Sequence, residues 1–391
     1  MQNDILARIR SEDIVRLTQE LVRIPSPNPP GLEAEVSDFL ASKMKAIGFK
    51  VQSHEVSPGR PNVVGHMTFG SGGKGLMFNG HLDVVPPGDR SLWDDDPYSG
   101  ILKEGRVYGR GTSDMKGGIA SIMVAAKALA DSSSDLQGDL IFSGVVDEES
   151  SGSGSKRIVE DGYKADMVVI GEPTDRKICI AHKGNMWLEI TTQGIAEHSS
   201  QVRVGKSANA VYRMTKIVSL IEEMLPDLQE IQDDLVGNPT ITVGLIEGGT
   251  KPNIVPDACR IVVDRRLLPA EDPKRVLEDL KARILASIMP EFDAAFKILI
   301  AREGAQISID EEIVKIASKS IKEALKISPE IGGLGATTDM SFFVRAGIPT
   351  IIYGPGSIKQ AHVANEFIDV HELTSAAKVY ATIAANALHK A

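Results

Sequence analysis

An apolar run at residues 75 to 78, GLMF, is followed by a histidine and an aspartate two places apart in NGHLD. On an extended strand residues i and i+2 share a face, so His81 and Asp83 should project together. An imidazole gives one nitrogen to a metal while a neighbouring carboxylate commonly holds the other N–H, which fixes tautomer and basicity. Taken alone, the triplet reads better as a solvated histidine beside a turn aspartate ahead of Pro86 and Pro87. Comparable chemistry recurs downstream. Asp114 sits in the glycine-rich GRGTSDMKGG, residues 109 to 118, where it fits equally as a helix N-cap. SGVVDEES, 143 to 150, closes a strand with Asp147, Glu148 and Glu149. Adjacent carboxylates raise one another's pKa unless a cation or solvent relieves the repulsion, and a wet loop explains them as well. Glu172 follows an apolar run in VVIGEPTD, and His362 lies in YGPGSIKQAHVANE after another.

Five such positions together change the balance. Apolar strand, turn, then histidine or carboxylate recurs at His81, Asp114, Glu149, Glu172 and His362, least cleanly at Asp114, whose strand RVYG is short. In an open α/β sheet the ligand crevice lies at the carboxyl ends of the strands, so separate loops converge there. Two histidines and three carboxylates form a nitrogen and oxygen set suited to zinc, cobalt or manganese. The chain has only two cysteines, Cys179 and Cys259, in no CxxC spacing, so a thiolate site and a disulfide framework are both unexpected.

The elements that must carry these residues alternate. Helical spacing over Asp13 to Arg23 stops at PSPNPP, 25 to 30. NVVGHMTF, GLMFNG, LIFSGVV and MVVIGEP read as buried strands, with a helix at GGIASIMVAAKALA, 117 to 130, and short Ser/Gly loops at 132–135 and 150–155. Such alternation predicts an α/β layer with a largely parallel sheet. The middle differs: strand 186–194, helix 208–225, strands 240–249 and 259–268, helix 271–288 with Asp272 as N-cap and Pro273 at its first position, then strand 296–301. That β-α-β-β-α-β order is a ferredoxin-like unit. A helix at 311–327 and a strand at 350–354 then resume the first pattern. The chain therefore reads as a discontinuous α/β domain, 1–182 and 304–391, holding an insert at 183–303.

With 391 residues, two domains are the natural expectation. The formal charge of -10 and the lack of a basic tract argue against nucleic acid or an anionic membrane as partner. No run of about 18 apolar residues suggests a span, and MQNDILARIR has no apolar leader core, so the cytoplasm is the expected compartment.

GHLDVVP, GRGTSDMKGG, DEES, GEPT and GPGSIKQAHVANE, in this order, resemble the dinuclear zinc amidohydrolases of the M20 metallopeptidase family, over nearly the whole chain. That family includes acetylornithine deacetylase, succinyl-diaminopimelate desuccinylase, aminoacylase and glutamate carboxypeptidase. The resemblance implies a zinc-exopeptidase-like α/β catalytic domain with a mostly parallel central sheet and an inserted ferredoxin-like lid and dimerisation domain. It implies two divalent ions per subunit, zinc first, with cobalt or manganese as alternatives. Asp114 would bridge both ions, His81 and Glu172 completing one shell, Glu149 and His362 the other. Asp83 would orient His81, and Glu148 would be the general base for a hydroxide held between the ions. By the same resemblance His198, in GIAEHSSQVRVGKSANA, would stabilise the oxyanion, from within the chain or from the partner of a homodimer. Val202 departs from the proline usual after HSS-x. Arg266 of VVDRRLLP would take a substrate carboxylate, a task that suits a guanidinium fork, while Arg265 reads as a surface or dimer residue. Asn253 and the loop containing Thr337, Thr338 and Asp339 would meet substrate, with Gly332, Gly333 and Gly335 permitting close backbone approach. The implied reaction is hydrolysis of an N-acyl-amino acid. A zinc exopeptidase acting on a short peptide, such as a dipeptidase or glutamate-type carboxypeptidase, is the alternative.

Overall fold

A computed structural model describes residues 2–132, 135–203 and 208–389; part of the predicted 132–135 loop and residues 204–207 of the GIAEHSSQVRVGKSANA segment lie outside the described residues. The chain divides into two compact units, Met1–Ile180 with Gln306–Gly333 and Thr338–Ala391, and Ala181–Ala305 with Leu334–Thr337.

In the first unit the apolar runs become a parallel block. Lys74–His81 lies between Gly138–Val145 and Met167–Ile170, and Thr350–Ile352 pairs with the latter. These strands are buried along nearly their whole length, as expected of a parallel layer covered on both faces. The register sets His81 against Val145 and Asn79 against Ile170, so the polar turns after three strands leave from one edge. Arg60–Phe69 adds antiparallel to Gly138–Val145, and Lys50–Ser57 continues outward.

The helix Gly117–Ala130 is buried on nearly every face. A Cβ on Gly118 would lie 2.3 Å from the Gly171 carbonyl oxygen, so glycine there lets the helix start pass against the GEPT loop. The helix anticipated from Asp13 runs over Ser11–Val22, and the one anticipated from 311 over Glu312–Leu325. Val370–Ala387 adds a long buried helix that the sequence reading did not identify.

The second unit has an antiparallel sheet in the order Thr240–Gly248, Ala258–Leu267, Gly184–Gln193, Ala294–Arg302. Leu188, Ile190, Ile261 and Val263 pack against Met214 and Ile217 of Ala210–Glu223 and Ile284 of Pro273–Ile288. The latter helix is capped as its sequence suggests: Asp272 Oδ1 accepts from the N–H groups of Lys274 and Arg275 at 2.7 and 3.3 Å. Chain order and sheet order together are ferredoxin-like, with the short helix Leu225–Glu230 added. Among the described residues no helix is long and apolar enough to cross a membrane.

Candidate metal centre

His81, Asp114, Glu149, Glu172 and His362 all belong to the first unit, and they gather. His81 Nε2 lies 2.9 Å from Asp114 Oδ1 and 3.3 Å from Glu172 Oε1. His362 Nε2 lies 3.0 Å from Glu149 Oε2 and 3.5 Å from Asp114 Oδ2. Asp114 thus turns one oxygen to each histidine and belongs to two adjacent ligand groups. It is not a helix cap, because Lys116 holds that place before Gly117–Ala130.

The histidine ring is oriented differently from the expectation. His81 Nδ1 is 2.8 Å from the main-chain oxygen of Asp83, whereas the Asp83 carboxylate is 3.7 Å away. A carbonyl only accepts, so Nδ1 carries a hydrogen, and Nε2 is the nitrogen turned to the cluster. The Asp83 carboxylate instead accepts the N–H groups of Glu148 and Glu149 at 3.2 and 3.1 Å. It also accepts from the Asn28 side chain at 2.9 Å.

Asn28 went unnoticed in the sequence because PSPNPP drew attention only as a helix stop. Its amide also donates to Asp147 at 3.1 Å, and Asp147 receives Arg60 at 3.0 Å. Asn28 is placed by its own N–H on the Val84 carbonyl, 2.9 Å away. Lys116 was also missed. Fully buried, it donates to the carbonyls of Leu21 and Ile24 at 3.0 and 2.8 Å, and burial lowers its pKa to about 7.

Three buried or half-buried carboxylates share this space. Burial, with the Asp114 charge beside it, pushes Glu149 up to about 7. Burial likewise raises Glu172 well above the usual carboxylate range, and the charges of Asp114 and Glu148 add to this. Burial opposes charge on His81, but Glu172 and Asp114 override it and hold the imidazole well above its ordinary pKa. The hydrogen bond to Glu149 raises His362 to about 9. Protons are therefore doing what a cation would do: neutralising a surplus of buried negative charge. The nitrogen and oxygen donors, with His81 Nε2 facing inward where a cation would take the place of its proton, fit divalent zinc, cobalt or manganese.

Glu148 is buried beside this cluster, anchored by its N–H on Asp83. Asp339 and Thr338 are buried in the first unit, where the Asp339 carboxylate accepts from Ser155 at 2.7 Å and Thr338 Oγ1 from the Met340 N–H at 3.3 Å. Of the remaining residues suggested by resemblance, Gly332 and Gly333 belong to the first unit, and His198, Asn253, Arg265, Arg266, Gly335 and Thr337 to the second. His198 is exposed, and its Nδ1 accepts the Ser200 N–H at 3.2 Å, which leaves the hydrogen of the neutral ring on Nε2. Arg266 is held by Asp264 through two hydrogen bonds of 2.8 and 3.2 Å. Arg265 is a correction: it is not on the surface but 4% exposed, paired with Glu271 at 2.6 Å, because its side of the strand faces inward. Asn253 is exposed and accepts the Ser199 N–H on its main-chain oxygen. Thr337 is half-buried, and among the described residues nothing approaches within 4 Å of a Cβ built at Gly332 or Gly335.

Comparison with known proteins agrees with this geometry. The profile of peptidase family M20/M25/M40 matches residues 77–386. The chain is 28% identical to an N-formyl-4-amino-5-aminomethyl-2-methylpyrimidine deformylase of Bacillus subtilis, covering 94% of this chain and 93% of that one. It is 30% identical to an acetylornithine deacetylase of Myxococcus xanthus, covering 92% of each. Among solved structures, a tripeptidase from Staphylococcus aureus superposes with a TM-score of 0.81 at 24% identity, over 97% of this chain and 100% of that one.

Proposed function

The chain belongs to peptidase family M20/M25/M40, and from that premise we propose that it hydrolyses the amide of an N-acyl-amino acid, releasing the free amino acid. It is a metal-dependent amidohydrolase. The observation that carries the assignment is the pair of ligand groups sharing Asp114, with Glu148 buried beside them.

In this proposal His81, Asp114 and Glu172 hold one cation, and Asp114, Glu149 and His362 a second, zinc in the first instance and cobalt or manganese otherwise. Bound there, divalent cations lower the pKa of a water and polarise a carbonyl oxygen. Glu148 takes the proton of the attacking water and returns it to the leaving nitrogen, serving as base and then as acid. Asp83 fixes the main chain at Glu148 through their hydrogen bond, which supports a positioned carboxylate for that transfer. His198 offers Nε2–H to the developing oxyanion, and the acceptor role of its Nδ1 supports that assignment. Arg266 takes the substrate carboxylate, with Asn253, Thr337, Thr338 and Asp339 lining the site. The same proposal takes the second unit as a lid and dimerisation domain, the protein as a homodimer and the cytoplasm as its compartment.

One observation favours a second substrate class. Asp264 occupies the guanidinium fork of Arg266, so a substrate carboxylate has an internal competitor. The Bacillus subtilis relative is named for an N-formyl aminomethylpyrimidine, a compound without a carboxylate. The test is turnover by the metal-loaded protein across N-acyl-amino acids including N-acetylornithine, N-formyl amines lacking a carboxylate, and dipeptides. Preference for the first group supports the proposal, preference for the second moves it to acyl amines, and preference for dipeptides makes the protein an exopeptidase. Inertness towards all three refutes it.

A further inference from the structure

Glu366 closes the AHVANE segment, four residues after His362, and has had no role so far. Its carboxylate is 0% exposed and accepts four hydrogen bonds, all from the loop that carries Asp114. Oε1 takes the N–H groups of Ser113 and Asp114 at 2.8 and 3.1 Å. Oε2 takes Arg110 Nη1 and the Gly111 N–H at 2.6 and 3.0 Å. The main-chain oxygen of Glu366 accepts the Gly109 N–H at 2.9 Å. One residue therefore fastens the loop that supplies His362 to the loop that supplies Asp114.

The other ligands are held differently. His81 ends a strand paired on both sides, and Glu172 follows a strand paired with it. His362, by contrast, sits in a loop with a left-handed backbone, φ 64°, and its side chain is 56% exposed. The loop is tied elsewhere by Ser113 Oγ on the Ser357 main-chain oxygen at 3.3 Å and by Asn365 on Asp94, but the Glu366 carboxylate is the buried, charged link that reaches the Asp114 main chain itself.

We propose that Glu366 is a positioning residue that sets the Asp114–Glu149–His362 half of the metal centre. The inference rests on the two-cation assignment made above. A glutamine at 366 has nearly the same shape but keeps one acceptor oxygen. Its NH2 group must face either Arg110 and the Gly111 N–H or the Ser113 and Asp114 N–H groups, so buried donors oppose a donor. The His362 loop should then drift from Asp114, while the strand-borne ligands stay.

The test uses the full chain, stripped of metal and titrated with Zn2+ against a chromophoric chelator; the absorption of the Co2+ form gives a second readout. His362→Ala identifies which binding step belongs to the His362 site. Wild type should bind two ions. Glu366→Gln should weaken the His362 step by about 10- to 100-fold, the usual effect of losing a group that orients ligands, and leave the other step nearly unchanged. Glu366→Asp keeps the charge and should restore part of that loss. Two unchanged steps in Glu366→Gln overturn the inference, as does equal weakening of both, which would mean general loosening. If Glu366→Gln does not fold, Glu366→Asp decides: selective weakening supports the inference and wild-type binding overturns it. A wild-type protein that binds no ion would instead sink the two-cation assignment itself.

Discussion

Replacing Asn28 by alanine tests whether the acidic turns are held by the bridge the structure shows. The amide donates two hydrogen bonds to buried carboxylates, to Asp83 at 2.9 Å and Asp147 at 3.1 Å. Hydrogen bonds to charged groups contribute about 1.5–3 kcal/mol each. Neither acceptor is orphaned by the change, because Asp83 keeps the Glu148 and Glu149 N–H groups and Asp147 keeps Arg60, Ser151 and Ser153. The loss should therefore fall short of the full sum, at about 2–4 kcal/mol, read as a lower urea midpoint of the metal-free protein at unchanged slope. Because Asp83 anchors Glu148, kcat should fall about tenfold as well, a loss in keeping with slight misplacement of a catalytic group. Asn28→Asp sharpens the test. It places a third carboxylate at about 3 Å from two others, a repulsion of roughly 5 kcal/mol per pair at an effective dielectric of 20. That variant should be less stable than the alanine variant at pH 8 and recover towards pH 5, where a proton restores one donor. A stability change under about 1 kcal/mol in Asn28→Ala, with normal turnover, would refute the bridge.

Further outcomes follow from the same geometry. Glu148→Gln should keep its metal content and lose about 10²- to 10⁴-fold in kcat, measured by single-turnover hydrolysis; a near-normal rate removes Glu148 from proton transfer. The metal-free protein should lose stability as pH rises. Glu149 is raised from 4.5 to about 7, so its contribution is present below pH 4.5 and gone above 7; His362 is raised from 6.5 to about 9, so its contribution disappears between those values. Thermal midpoints in chelator should thus decline from about pH 5 to pH 9, a trend that saturating Zn2+ flattens; a level or rising metal-free profile contradicts the electrostatics described. Arg266→Ala should raise KM for N-acyl-amino acids by about 10- to 100-fold with kcat little changed, and leave acyl amines without a carboxylate unaffected. Equal effects on both substrate classes would take the carboxylate away from Arg266.

The residues legible in the sequence were those whose chemistry repeats in a recognisable local setting. His81, Glu149 and Glu172 each follow a buried strand, and a parallel sheet necessarily brings such ends to one edge. The inserted unit was legible for a similar reason, since its strands and helices each bury one periodic face. Lys50–Ser57 was not, because it is an outer strand with no buried position and no clean alternation. Arg265 was misplaced because its charge outweighed the strand's alternation, in which Cys259, Ile261, Val263 and Leu267 share its inward face; the pairing with Glu271 is what lets a guanidinium sit there. Asn28 and Glu366 escaped for a different reason. Their partners lie 55 to 256 residues away, and the partners of Glu366 are largely main-chain N–H groups, which leave no mark on residue type.

The HLD triplet shows how a correct pairing can conceal the way it operates. Period-two geometry applies only while the strand lasts, and the strand ends at His81. Beyond it the chain turns, so that the Asp83 carbonyl, not its carboxylate, receives the ring N–H. The carboxylate is thereby free to hold the main chain of Glu148 and Glu149. In the proposed assignment one aspartate thus orients the ring of one ligand, His81, through its backbone, and the base Glu148 and a second ligand, Glu149, through its side chain. An asparagine at position 83 would preserve the first function, which needs only a peptide oxygen, and impair the second, which needs two acceptor oxygens. The two functions are separable in principle: the ring orientation belongs to the turn, and the placement of the base belongs to the charge.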